Sequence, residues 1–368
     1  MGRKIQILVD GRTVRPGMTG VGHYTLALTR EAARLAEGWE FHVLTLYPEL
    51  WGKASAPNLQ IHHSRVDYEA HPTGDLWEHL VLPRFAGRIR ADLVWGPAFL
   101  IPWGLQSFGR VVTIHDLTVF TLPREYPPLF AAYLRQVIRR SCRWADAVLA
   151  DSSYVAAKLR SLMHPTEKTI EVVPNGVAPE FFDHNAGEEM VGNLPERYIL
   201  SVGAGSPRKN LNFGAAVVEC LRTQHGMPYS YVVVGNCDHL PKNVIGVPPQ
   251  PLEKLANFYR RADLFLFPSV DEGFGVPVLE AMASGCPVAA AKRGAIPEVA
   301  GSAAFLFELE EGAERVAARL AELMRDQARL KELRETGRRR AAEYTWRSAA
   351  EKLLKVFERV IRTKHHER

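Results

Sequence analysis

"VDEGFGVPVLEAMASGCPV", residues 270–288, decides how this chain is built. Just before it, "LFLFPS" (264–269) is an apolar run halted by Pro268, the pattern of a buried strand. Pro277 suits the first turn of a helix, and Leu279, Met282 and Ala283 continue an apolar stripe from it. The stretch therefore reads as strand, glycine loop, helix. A helix start with such a lead-in favours an anion, because its free N–H groups point outward. Yet two carboxylates, Glu272 and Glu280, bracket this one.

The same alternation extends in both directions. "KIQILVD" leads through a glycine loop into the helical "HYTLALTREAARLAE", and "FHVLTLY", "ADLVW", "RVVTI" and "DAVLA" read as further strands. In the second half "RYILSVGA", "YSYVVVGN", "ADLFLFPS" and "GCPVAAA" repeat the arrangement. Short apolar runs separated by amphipathic helices predict parallel sheets covered on both faces. Two such sets predict an α/β chain of two Rossmann-like domains. Pro, Gly, Asn and acidic residues crowd 172–196, and apolar periodicity lapses there. We place the boundary at 184/185, giving domains 1–184 and 185–345, followed by a terminal amphipathic helix in 346–368.

The bulk properties agree. At 368 residues the chain exceeds one ordinary core. Its 46% hydrophobic and 24% charged residues describe a globular protein. No apolar run approaches the roughly 20 residues that span a bilayer. "MGRK" runs straight into the first strand with no signal-like segment, and the four cysteines lack CxxC pairing. We therefore expect a reduced cytoplasmic setting and no zinc site. The charge of +5 is modest and does not call for nucleic acid. Basic residues do gather at 82–90 and 124–143, either as a solvated face or as a surface for anionic lipid.

Four stretches carry chemistry. In "GMTGVGHYT" (17–25), Gly20 and Gly22 would let backbone approach a ligand at a helix start. In "VVTIHDL" (111–117), His115 follows a strand, where parallel sheets place ligands; a histidine satisfying local backbone groups is the competing reading. In "SVGAGSPRKNLN" (201–212), Arg208 and Lys209 stand beside a helix start, where cations cost stability unless an anion arrives. That suits a diphosphate. Around 272–280, carboxylates beside an anion site make sense if they face hydroxyl groups, which donate to them. A diphosphate flanked by polyhydroxyl groups meets every demand, and a nucleotide sugar is such a ligand.

Glu272 and Glu280, eight apart in "EGFGVPVLE", resemble the EX7E motif of retaining GT-B glycosyltransferases. The chain is most similar to glycosyltransferase family 4, in particular to bacterial mannosyltransferase-like members. The likeness runs through "DGRTVRPGMTGVGHYT", "VVTIHDL", "ADAVLADSS", "VPNGV", "SPRKNL", "EGFGVPVLEAMASGCPV" and "AIPEVAGSAA", in that order. It implies GT-B architecture: two facing Rossmann-like domains with a cleft, the donor held mainly by the second. The final helix is expected to cross back onto the first.

By the same resemblance Glu280 meets the ribose hydroxyls, and Glu272 with Gly273, Phe274, Gly275 and Val276 holds the transferred sugar and distal phosphate. Lys209 and Arg208 match the diphosphate cations, His115 sits near the sugar, and Gly20 and Gly22 lie in a loop closing over the donor. Many relatives carry an arginine where this chain has Ala204; either Arg208 alone supplies that charge or the leaving group is stabilised less than in the fuller pattern.

The implied reaction is transfer of a hexose with retention, by a front-face route in which the leaving diphosphate helps deprotonate the acceptor. Lys209, Arg208 and loop N–H groups would stabilise that diphosphate, with neither a metal nor a bound cofactor. Mannose from GDP-mannose is the expected donor; a UDP-sugar enzyme and a non-catalytic nucleotide-sugar-binding module are the alternatives. The expected acceptor is a glycan, polyprenyl-diphosphate-linked or a polysaccharide precursor, met peripherally at an anionic membrane.

Overall fold

The computed structural model describes residues 3–52, 56–68, 77–105, 107–163, 170–183 and 194–366. The chain divides into two compact units, Met1–Gly176 with Trp346–Arg368, and Val177–Thr345. The first carries a seven-stranded sheet in the order β3-β2-β1-β4-β5-β6-β7. Its strands are β1 (Ile5–Asp10), β2 (Trp39–Thr45), β3 (Leu59–His63), β4 (Leu93–Gly96), β5 (Gly109–Ile114), β6 (Ala147–Ala150) and β7 (Ile170–Val172). All pairings are parallel.

Neighbouring residues of a strand point to opposite faces, so a strand covered on both reads as a near-continuous apolar run. Ile7, Val9, Leu93, Trp95 and Val111 enter one core, shared with α1 (Gly20–Leu35) and the C-terminal helix (Trp346–His366). Leu8, Val94, Val112 and Val148 enter the other, under α2 (Leu82–Ile89), α3 (Pro128–Trp144) and α4 (Ser153–Met163). The C-terminal helix buries Leu353, Val356, Phe357, Val360 and Ile361 at helical spacing. Each contributes roughly 1.5–3 kcal/mol of burial before entropy is charged. That stripe belongs to the first unit, although the helix follows the second in sequence.

The second unit holds a six-stranded parallel sheet, β10-β9-β8-β11-β12-β13. Its strands are β8 (Tyr198–Ala204), β9 (Ser230–Gly235), β10 (Val244–Val247), β11 (Leu264–Phe267), β12 (Val288–Ala291) and β13 (Phe305–Phe307). Its helices include α5 (Leu211–His225), α6 (Leu252–Arg261) and α7 (Val276–Ala283). Val217 and Leu221 of α5 pack on Ile199, Val233, Leu264 and Leu266.

The units change over at Gly176/Val177, eight residues before the 184/185 boundary expected from composition. Residues 184–193 themselves lie outside those described. Composition marks the loop, whereas packing marks where allegiance changes. Phe181 is already buried against Tyr259 of α6, with ring centroids 5.9 Å apart.

Candidate functional site

In an open parallel sheet a crevice forms at the carboxyl ends of two strands whose connections depart in opposite directions. In the second unit those strands are β8, which leads on to β9, and β11, which leads on to β12. The loop after β8 carries Arg208 and Lys209, and the loop after β11 carries Glu272. Lys209 Nζ stands 2.8 Å from Glu272 Oε1, and Arg208 Nη1 stands 2.6 Å from Oε2. Arg208 also donates to the carbonyl of Asp271 at 2.9 Å. Lys209 lies 4.8 Å above the ring of Phe267, a second favourable surface for its charge.

The cations do not sit on the first turn of α5. They occupy a separate 3-10 turn, Pro207–Lys209, which Asn210 in the left-handed region (φ 52°) divides from the helix. The anion that the sequence reading reserves for a ligand is here supplied from within the chain. Burial works against ionisation of Glu272, but the charges of Lys209 and Arg208 outweigh it and hold the carboxyl below its ordinary range. Its backbone is pinned as well: Ala295 N–H donates to the Glu272 carbonyl at 2.9 Å. Gly294, at φ +58°, passes so close that a Cβ there would stand 2.3 Å from that carbonyl oxygen.

Glu280 lies on α7, half-buried, and accepts a 2.9 Å hydrogen bond from the Tyr259 hydroxyl. Burial pushes its carboxyl up to about 7, with Tyr259 and the charge of Lys209 pulling the other way. The two glutamates thus differ in kind, Glu272 being an ion held by cations and Glu280 a carboxyl poised at neutral pH. Gly275 caps α7 at φ +95°, and Val276 is its first residue. Phe274 turns its ring onto Tyr344, 5.7 Å away, and is buried, so of this pair with Gly273 only backbone is left for a ligand.

In the first unit the connections reverse between β1 and β4, and His115 follows the neighbouring β5. His115 is buried, with Nδ1 2.8 Å from Asp151 Oδ2 and Nε2 2.6 Å from the carbonyl of Pro97. A neutral imidazole has one N–H, so donating to both acceptors requires the imidazolium. Burial opposes that charge, but Asp151, then the Pro97 carbonyl, overcome it and raise the imidazole above its ordinary range. Asn175 donates to the same Asp151 oxygen at 3.1 Å, and Tyr24 packs edge-on against the imidazole at 4.9 Å.

Sequence reading did not single out Asp151 or Asn175. Each follows the end of a strand (β6 and β7), and the rule that selected His115 applies to both. Gly22 answers to packing, since a Cβ there would stand 2.4 Å from the Thr13 carbonyl; Gly20 faces open space. Both glycines lie in the first turn of α1 and not in the loop that the resemblance implied. The loop before α1 is anchored by Arg12, which bridges Asp10 and the buried Glu78 and lies over the ring of Trp77.

Comparison with known proteins agrees in both halves. The family described as Glycosyltransferase Family 4 matches residues 18–181, and Glycosyl transferases group 1 matches residues 189–340. Among curated relatives, the O-antigen chain mannosyltransferase B of Escherichia coli is 23% identical over 96% of this chain and 99% of its own. The MMP alpha-(1->4)-mannosyltransferase of Mycolicibacterium hassiacum is 27% identical over 70% of this chain and 66% of its own. Among solved structures, sucrose-phosphate synthase from Thermosynechococcus elongatus superposes with a TM-score of 0.77 at 19% identity, covering 98% of this chain and all of that one. With both units matched in order and the same fold found along the whole length, the chain belongs to glycosyltransferase family 4 and is a glycosyltransferase of GT-B fold.

Proposed function

We propose that the protein transfers a hexose, with retention, from a nucleoside diphosphate sugar to a glycan acceptor, and that the donor is GDP-mannose. The observation that carries the donor reading is the meeting of Arg208 and Lys209 with Glu272 at the carboxyl ends of β8 and β11. When the glycosidic bond breaks, negative charge accumulates on the diphosphate. Two cations held at the mouth of the sheet stabilise that charge. Glu280 is the residue for the ribose hydroxyls, because a carboxylate accepts from two neighbouring donors. The mannosyl choice is supported by the mannosyltransferases among its relatives.

The acceptor reading draws on α3. Its buried face is Ala131, Ile138, Ser141 and Cys142, while Leu129 is 87% exposed and Phe130 48%. The helix carries four arginines and no acidic residue. Tyr133, Val137 and Arg140 share with Leu100, Ile101 and Trp103 a cavity of about 250 Å³. Exposed apolar side chains among arginines suit a peripheral contact with anionic lipid bearing the acceptor. Among the described residues no helix is long and apolar enough to cross a membrane.

The donor is tested by thermal stabilisation with GDP, UDP, ADP and dTDP, alone and as their common sugars. A ligand at a hundredfold excess over its Kd adds about 2.7 kcal/mol to stability. A shift confined to GDP and GDP-mannose is the expected result, and a shift confined to UDP compounds would replace the mannosyl assignment. No shift with any of them removes the donor site. For the membrane contact, vesicles containing anionic phosphatidylglycerol should retain the protein at low salt and neutral phosphatidylcholine vesicles should not; equal retention rejects it.

A further inference from the structure

We infer that Glu272 is an internal counter-anion that the donor's diphosphate must displace, so that the site discriminates an intact sugar donor from a bare diphosphate. The inference rests on the donor reading above and concerns what that site does before and after the donor enters.

The geometry sets up an exchange. Both oxygens of Glu272 are taken, one by Lys209 and one by Arg208, at 2.8 and 2.6 Å. These are the two cations a diphosphate needs, and all three side chains are at least four-fifths buried. A diphosphate cannot use them at full strength while the carboxylate holds them. The backbone of Glu272 cannot retreat, because Ala295 bonds its carbonyl and Gly294 is packed against it. What can move is the side chain, by rotation about its own bonds.

Displacement leaves an ionised carboxylate buried beside an anion. An uncompensated buried carboxylate is expensive unless it takes up a proton or meets hydrogen-bond donors. A bare diphosphate brings none to that side, because its own oxygens are acceptors. A sugar on the distal phosphate brings hydroxyl groups, which donate to carboxylate oxygens. The cost of opening the ion pairs is therefore returned by the intact donor and not by the nucleoside diphosphate left after transfer. Glu272 in this role favours entry of substrate and departure of product through one residue.

The experiment is a set of binding isotherms for wild type, Glu272→Gln and Glu272→Asp, with inorganic pyrophosphate, GDP, UDP, GDP-mannose and UDP-glucose as probes. Glutamine keeps the size but removes the charge; aspartate keeps the charge but is too short to hold both cations. The expected result is that pyrophosphate and the cognate nucleoside diphosphate bind about tenfold or more tightly to the glutamine variant. The sugar nucleotide should bind no more tightly than to wild type, so the ratio of the two affinities falls by at least that factor. The aspartate variant should be intermediate, and it serves alone if glutamine prevents folding. If wild type binds a nucleoside diphosphate and both variants bind it equally or less tightly, the exchange is refuted while the donor site stands. If none of the three proteins binds any probe, the donor reading fails and this inference with it.

Discussion

Glu280 should make the second unit less stable as the solution is made alkaline, and the size of the effect follows from its surroundings. Its carboxyl ordinarily titrates at 4.5 and is pushed up to about 7, first by burial. A carboxyl whose folded value exceeds its unfolded one holds its proton longer in the folded state. Its stabilising contribution is fully present below pH 4.5 and is lost as pH rises through 7. At about 1.4 kcal/mol per pH unit, the gap amounts to about 3 kcal/mol between pH 4 and 8.5.

The assay is urea unfolding across that range for wild type and Glu280→Gln, which keeps the size and cannot ionise. The difference between the two curves isolates this one group. It should be flat below pH 4.5, change by about 3 kcal/mol through neutrality, and be flat again above 8. Tyr259→Phe removes the donor that favours the carboxylate and should move the transition to higher pH. If Glu280 meets the ribose hydroxyls as proposed, nucleoside diphosphate affinity should rise from pH 6 to 8 in wild type and not in the glutamine variant, since an ionised carboxylate can accept from both. A pH-independent difference between wild type and Glu280→Gln would mean that Glu280 titrates alike in the folded and unfolded chain, and the raised carboxyl would be rejected.

Lys209→Ala should lower turnover by about 10²–10³-fold, the loss seen when one preorganised charge-stabilising donor is removed; near-normal steady-state turnover would end its role on the leaving group. Gly294→Ala combines φ +58° with a Cβ 2.3 Å from the Glu272 carbonyl, and denaturation should show a loss of about 2–3 kcal/mol together with weaker donor binding. A loss under about 0.5 kcal/mol would mean that the Glu272 backbone is not pinned as described. Asp151→Asn should move the His115 titration, read by NMR, to lower pH. Because the folded imidazole titrates above 6.5, the stability lost in that variant should be greatest below pH 6.5 and fade as pH rises through the folded value; an unmoved His115 titration rejects the pairing.

Nine strands, all except those at the sheet edges, are legible as apolar runs. They are β1, β2, β4, β5, β6, β8, β9, β11 and β12, each flanked on both sides. A strand with neighbours on both sides and helices on both faces is mostly apolar, and its few buried polar side chains, such as His42 and Ser201, are hydrogen-bonded within the protein. The strands that sequence reading passes over are β3, β7, β10 and β13, the four sheet edges. β7 and β13 are three residues long, and β3 and β10 expose part of their length to solvent, so "LQIHH" and "VIGV" carry no sustained pattern. The final helix is equally plain as an amphipathic stripe, yet the stripe says only that something covers it.

Legible along the chain were the alternation of strand and helix, the two sheets, and the order of loops that hold His115, Arg208, Lys209, Glu272 and Glu280. Those are local properties, set by periodicity, glycine and proline within a few residues of each other. The partners were set by folding in space: Lys209 with Glu272 across 63 residues, His115 with Asp151 across 36, and the C-terminal helix with the first sheet. Hence the sequence could name the carboxylates and propose hydroxyl partners for them, but not foresee that one of them would pair with both Arg208 and Lys209. The reason is physical. An ion pair is fixed by where two strands end in space and by the burial that makes an unpaired charge costly, and neither is written in the spacing of residues along the chain.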